Sequence, residues 1–291
     1  MVPVLPTVHL IPANGIDYRV LEWLPDSPAK ATALLLHGYM DAGSTWDLVV
    51  PRLAAAGLRV LAPDLRGYGE TGRVGAGGYY HFPDYIFDVA DVIRAMAPAT
   101  PLFLVGHSMG GTVATLYAGT FPEHVTKLAL LEGVGPPDNP FELAPVRMRR
   151  WIDDVRAVRS RGEERAMASH DEALKRLKAN HASVDDDVLR ERLPHLVRHA
   201  PPLAWKHDPL HKTASPMPFF AKTYMAFAKN VVCPTLFVEG GPLGYHPPDE
   251  GERLAAFAQL ERATLDGAGH MMHWTRPLEL ADILVDFWKR K

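Results

Sequence analysis

Cysteine is almost missing from this chain. Cys233 is the only one in 291 residues, which excludes an internal disulfide. It stands beside Pro234 at the head of an apolar run, the setting of a buried structural thiol rather than of a nucleophile. Long hydrophobic runs are missing too, since stretches such as 31–36 and 128–131 fall far short of the roughly 20 residues that cross a bilayer. The opening MVPVLPTVHLIPANG has no basic start and carries prolines where a secretion signal has its apolar centre, so the sequence predicts a cytoplasmic protein. Neither charge sign is in excess. A net charge of −3 without a basic stripe leaves nucleic-acid binding without its usual electrostatic footprint. What is present is ordinary for a globular chain, 47% hydrophobic and 22% charged, enough to build a packed core.

Short β-branched or leucine-rich runs alternate with longer segments of helical period, the pattern of a mostly parallel sheet covered by helices. Residues 7–11 and 18–23 flank Ala13-Asn14-Gly15 and predict an opening antiparallel hairpin. Strands follow at 32–36, 59–62, 102–105 and 127–132, with helices between them at 45–56, 82–97 and 110–121. After Gly133-Val134-Gly135-Pro136-Pro137 no strand-like run appears for about ninety residues. That stretch is helical and charged, with Arg147, Arg149, Arg150, Arg156, Arg159, Arg161 and Arg165 interleaved with acids, which reads as a solvated helix face. Strands return at 235–239 and 263–265, with helices at 248–257 and 278–289. The expected organisation is a core of residues 1–135 and 231–291 with a helical cap of residues 136–230 inserted.

Strand 102–105 runs into Gly106-His107-Ser108-Met109-Gly110 and then directly into a helix. This is the G-x-S-x-G nucleophile elbow in its strand-turn-helix context. A serine on so tight a turn stands clear of the sheet, and side chains two residues either side would collide, hence Gly106 and Gly110. The backbone N–H of Met109 at the helix start is one candidate oxyanion donor. The N–H of Tyr39, in Leu36-His37-Gly38-Tyr39-Met40-Asp41 after the third strand, is the other. His37 is read there as a packing or hydrogen-bonding residue. A serine hydroxyl needs a base. Among fourteen histidines His270 fits, in Asp266-Gly267-Ala268-Gly269-His270 between the last strand and the last helix, with His273 the local competitor. His195 and His199 stand four apart on a predicted helix, but no third ligand is evident, and no metal or cofactor is expected.

Taken together, HGYMDAGSTWD, DLRGYGETG, LVGHSMGG, LLEGVGPP and DGAGHMMHW resemble the α/β-hydrolase superfamily across nearly the whole chain. Trp205-Lys206-His207-Asp208-Pro209-Leu210, Leu174-Lys175-Arg176-Leu177-Lys178 and Leu131-Glu132-Gly133-Val134-Gly135 resemble its serine-hydrolase-like subfamily. The resemblance implies an eight-stranded, mostly parallel sheet and a hydrolase. Its members include carboxylesterases, lactonases, carbon–carbon bond hydrolases, haloalkane dehalogenases and epoxide hydrolases, and the last two use aspartate where this chain has Ser108. In much of this fold the triad acid follows the seventh strand as Gly-x-x-Asp, but here Gly240-Gly241-Pro242-Leu243 puts leucine in that place. Glu132, after the sixth strand, is the preferred acid, with Glu239 and Asp249 as alternatives; Asp266 shares too tight a loop with His270. Some dehalogenases resemble this chain in carrying a glutamate there.

The expected reaction is acyl transfer to water from a small or medium apolar ester or lactone, by a monomer or homodimer with no nucleic-acid or membrane partner. Trp151, Phe219 and Phe220 of the cap are candidate substrate contacts. Two alternatives stand beside it: a small-molecule binding protein or receptor on the same fold, and a carbon–carbon bond hydrolase or acyltransferase using the same triad.

Overall fold

The computed structural model describes residues 5–97, 101–161, 166–198 and 202–290. Strands β1 (Thr7–Ala13) and β2 (Ile16–Trp23) form the hairpin, turning through Asn14 and Gly15, both at positive φ. They are followed by β3 (Ala31–Leu36), β4 (Leu58–Pro63), β5 (Leu102–His107), β6 (Lys127–Leu131), β7 (Thr235–Glu239) and β8 (Leu260–Thr264). The strand order in the sheet is β1-β2-β4-β3-β5-β6-β7-β8. β1 pairs with β2 and β2 with β4 antiparallel, and every other pairing is parallel. This is the mostly parallel eight-stranded α/β sheet that the alternation predicts.

The central strands are apolar on both faces because both are covered. In β3, Ala31–Leu36, all six residues are buried. Leu34 and Leu36 join one core while Ala33 and Leu35 join the core on the other face, as the two-residue period of a strand requires.

The helices are α1 (Val50–Ala55), α2 (Phe82–Met96), α3 (Met109–Thr120), α4 (Ala144–Arg161), α5 (His170–Asn180), α6 (Asp186–Leu196), α7 (Ala221–Lys229), α8 (Glu250–Leu254), α9 (Met272–Thr275) and α10 (Pro277–Lys289). Most boundaries fall within two residues of expectation, and three elements differ more instructively. The single helix expected at 45–56 is a 3₁₀ turn, Gly43–Leu48, followed by α1, because Pro51 in the first turn of α1 brings no amide to continue the earlier turn. α8 is shorter than 248–257, beginning only after Pro247 and Pro248. β8 begins at Leu260, three residues before the expected 263, because it is an exposed edge strand of polar pattern that an apolar search overlooks.

Between β6 and β7 the described residues hold α4 to α7 and no strand beyond one isolated bridge, Val197 to Trp205. α5 and α6 enclose their own small core of Ala173, Leu177, Leu189 and Leu193, which closes on Ala42, Met271 and Trp274 of the main body. That contact ties these helices to the loop carrying His270. Among the described residues no helix is long and apolar enough to cross a membrane.

Candidate active site

The geometry around Ser108 begins with sheet register. β5 ends at His107, α3 begins at Met109, and Ser108 between them is held at φ 51° and ψ −116°. Such a conformation costs a non-glycine residue about 1–3 kcal/mol and persists only where the surroundings over-determine it. Here they do. Ser108 N donates to Leu131 O of the neighbouring strand at 3.0 Å, and Ser108 O accepts from Gly111 N at 3.0 Å. A Cβ on Gly106 would stand 2.4 Å from Gly110 O, and one on Gly110 would stand 2.3 Å from Leu36 O. Both glycines are therefore required by close backbone approach, as the motif anticipates.

Glu132 is reached one residue past β6, at φ 45°, a turn that takes its side chain out of strand register. The residue is 2% exposed, and its carboxylate accepts three N–H donors. Gly240 N donates to Oε1 at 2.6 Å, Tyr245 N to Oε2 at 2.7 Å, and His270 Nδ1 to Oε2 at 2.8 Å. The loop after β7, which lacks the customary aspartate, thus supplies amides to a carboxylate held on β6. Gly244 permits this, because a Cβ there would meet Glu132 Oε1 at 1.9 Å. With its Nδ1 proton committed to Glu132, His270 presents Nε2 as a lone pair.

The other histidines near the site have separate work. His273 is buried and donates Nε2–H to Asp41 Oδ2 at 2.8 Å. Asp41 Oδ1 accepts from Ala42 N at 2.9 Å and Thr45 Oγ1 at 2.8 Å. His107 donates Nε2–H to the carbonyl of His270 at 2.8 Å, so it holds the loop on which His270 sits. Burial holds the His107 imidazole well below the usual histidine range, and the neighbouring His273 and His270 add to that. His37 donates Nδ1–H to Gly38 O at 2.8 Å and accepts from Leu65 N at 2.9 Å, a buried, neutral brace between the β3 and β4 loops. Burial likewise lowers its pKa. Asp41, His107 and His273 bring potential ligand atoms within 4.8 Å of one another. Most of those atoms are already committed to the bonds above, leaving Nδ1 of His107 and of His273 unpartnered.

Ser108, Glu132 and His270 line one cavity of about 420 Å³ together with Tyr39, Met109, Thr112, Tyr245 and Phe82. Tyr39 and Met109, the expected oxyanion donors, are therefore both at this cavity. The Tyr39 hydroxyl points away to donate to His211 O at 2.9 Å. Gly38 closes the approach: a Cβ there would stand 2.7 Å from His107 Nδ1 and 3.1 Å from Ser108 Cβ. Of the three expected substrate contacts, Phe219 lines a second, adjoining cavity of about 710 Å³. Trp151 and Phe220 line neither; Trp151 packs edge-on behind Tyr79, with ring centroids 5.4 Å apart. Phe220 precedes α7. Tyr245 and the Asp41–His273 pair were not anticipated, and no local sequence signal marks them, since both matter through partners distant in the chain.

The remaining candidates lie elsewhere. Glu239 Oε1 accepts from Thr264 Oγ1 at 2.6 Å and Glu239 Oε2 from Arg262 at 3.1 Å, and Asp249 pairs with Arg253 at 2.8 Å. Asp266 is not among the residues around the 420 Å³ cavity. His195 faces Asp47 at 3.6 Å, and His199 and Arg165 fall outside the described residues. Cys233 is buried, which pushes its thiol up to about 11.

A family model described as the alpha/beta hydrolase fold matches residues 34–277. A serine hydrolase-like protein of Dictyostelium discoideum is 32% identical over 129 residues, 44% of this chain and 35% of that protein. A serine hydrolase-like protein of Danio rerio is 32% identical over 166 residues, 55% of this chain and 50% of that protein. The chain's matches thus span half or less of these relatives' length. Among solved structures, a thioesterase domain from the curacin biosynthetic pathway superposes with TM-score 0.84 at 24% identity, over 97% of this chain and 100% of that one, a likeness of fold.

Proposed function

The chain belongs to the α/β-hydrolase family, and from that premise we propose that it is a serine hydrolase cleaving a carboxylic ester or lactone through an acyl-enzyme on Ser108. Ser108 Oγ attacks the carbonyl carbon while His270 Nε2 takes its proton, giving a tetrahedral oxyanion that the N–H groups of Tyr39 and Met109 stabilise. The intermediate collapses, the C–O bond to the alcohol breaks, and His270 returns the proton to the leaving oxygen. Water, deprotonated by His270, then attacks the acyl carbon and releases the acid and Ser108. Glu132 holds the imidazole in the tautomer this sequence needs and stabilises the imidazolium that forms. Nothing in these steps calls for a metal or cofactor.

The observation that carries the reading is the 2.8 Å bond from His270 Nδ1 to a buried Glu132, in the same cavity as a serine held at φ 51°. Residues 136–230 act as the cap over that cavity, and Pro136, Pro137 and Gly135 at its root already line the wall. The test is a series of p-nitrophenyl esters of graded acyl length with several lactones, read beside covalent labelling by a fluorophosphonate. Ser108→Ala should abolish both turnover and labelling. Unchanged turnover in that variant would overturn the proposal.

A further inference from the structure

The second cavity shares Tyr39, Phe82, Met109, Pro136 and Pro137 with the one that holds Ser108, and its lining includes Arg147 of α4. Its walls are largely aromatic, and several of their polar atoms are committed within the protein. Tyr39 donates to His211 O at 2.9 Å, Tyr79 to Ala214 O at 3.0 Å, Tyr80 to Asp208 Oδ2 at 2.8 Å and Ser215 to Met217 O at 3.0 Å. Burial pushes the His211 imidazole down to about 3, so it brings no charge.

Arg147 of α4 brings a permanent charge to this wall. It lines this cavity, and its Nε is fully buried without a hydrogen-bond partner. Among the described residues no carboxylate stands within ion-pair distance of its guanidinium. Asp154, seven residues along the same helix and so about 10 Å away by helical rise, is engaged by Arg150 at 3.6 Å and by Ala214 N at 3.3 Å. Asp208 is taken by Tyr80 and by Leu210 N at 2.9 Å. A buried donor left unmet on an always-charged, planar group is an unfavourable arrangement that an incoming anion relieves. One guanidinium with no lysine or second arginine in the wall suits a monoanion, and a carboxylate matches its fork.

We infer that the substrate carries a carboxylate at the end of its acyl group remote from the scissile carbonyl, and that Arg147 binds it. The inference rests on the serine-hydrolase reading and names the substrate class for that site: half-esters of dicarboxylic acids and their lactone equivalents. The test separates the two ideas by measuring binding without turnover. In Ser108→Ala protein, calorimetry compares the monomethyl and dimethyl esters of succinate, adipate and suberate. For at least one chain length the monoanion should bind about tenfold or more tightly than its neutral diester, the scale of a charge-assisted hydrogen bond. Adding Arg147→Gln should erase that preference while leaving diester affinity within about twofold. Equal binding, or none, at all three lengths overturns the inference, as does a preference that survives Arg147→Gln. A wild-type protein that binds the monoesters through Arg147 yet turns over no ester removes the hydrolase reading alone.

Discussion

Glu132 Oε2 lies 2.8 Å from His270 Nδ1, joining two residues 138 positions apart in the chain. The relationship depends on both strand ends: β6 delivers the carboxylate one residue past Leu131, and the loop after β8 returns the imidazole over it. Glu132→Gln keeps the shape but offers an amide N–H, which favours the wrong tautomer of His270. Turnover of a p-nitrophenyl ester should fall by about 10³–10⁴, the scale seen when a triad acid is neutralised. Circular dichroism should remain that of the folded protein. Near-wild-type kcat would overturn the role proposed for Glu132.

His270 and His273 should separate cleanly by readout. On the proposed mechanism, His270→Ala removes the base and should lower kcat by several orders of magnitude with little change in Tm. His273→Ala leaves the buried Asp41 carboxylate without its Nε2–H donor, a loss of about 1–3 kcal/mol for a buried acceptor deprived of one partner. Thermal unfolding and kcat, measured on the same preparations, check both. A His273→Ala protein that stays fully stable would show that the buried pair is not structural.

Gly244→Ala tests whether the β7 loop was shaped around the acid. Its new Cβ would meet Glu132 Oε1 at 1.9 Å, so either the carboxylate or the loop must move. The expected result is a fall in kcat of about tenfold or more, since small misplacements of catalytic groups are costly. KM should change less. Equal kcat in the variant would mean that the loop relaxes without disturbing His270.

Acid should destabilise the fold through His211. Burial lowers its imidazole from 6.5 to about 3, so protons bind the unfolded chain more tightly than the folded one. The stabilisation is whole above about pH 6.5 and is lost as the pH falls from there toward 3. The loss approaches about 1.4 kcal/mol per pH unit for one such group. Urea unfolding at pH 7, 5.5 and 4.5 should show a shallower decline in His211→Gln than in the wild type. Parallel declines would assign the acid lability to other groups.

The sequence was most legible where a requirement is local. The elbow needs small residues two either side of Ser108, and Gly106 and Gly110 are adjacent in the chain to what they accommodate. The hairpin needs a turn that tolerates positive φ, and Asn14-Gly15 declares it. Buried strands such as β3 announce themselves by unbroken apolar character. The exposed edge strand β8 and the break before Pro51 were harder, because polar alternation and a 3₁₀ turn leave weak periodic signals.

Composition, alternation and the motif around Ser108 by themselves determined an α/β sheet with a tight strand-turn-helix bend at Ser108, because those depend on steric rules acting over a few residues. They also left three carboxylates in contention. Only the tertiary structure decided which of them faces His270, since that choice turns on strand order: β6 lies beside β5, and its first residue beyond the sheet carries Glu132 toward the loop from β8. The same holds for Arg147. In sequence it is one of seven arginines among acids, a solvated helix face; in the fold its buried Nε sits in a largely aromatic wall beside the cavity that holds Ser108, a placement that only packing decides.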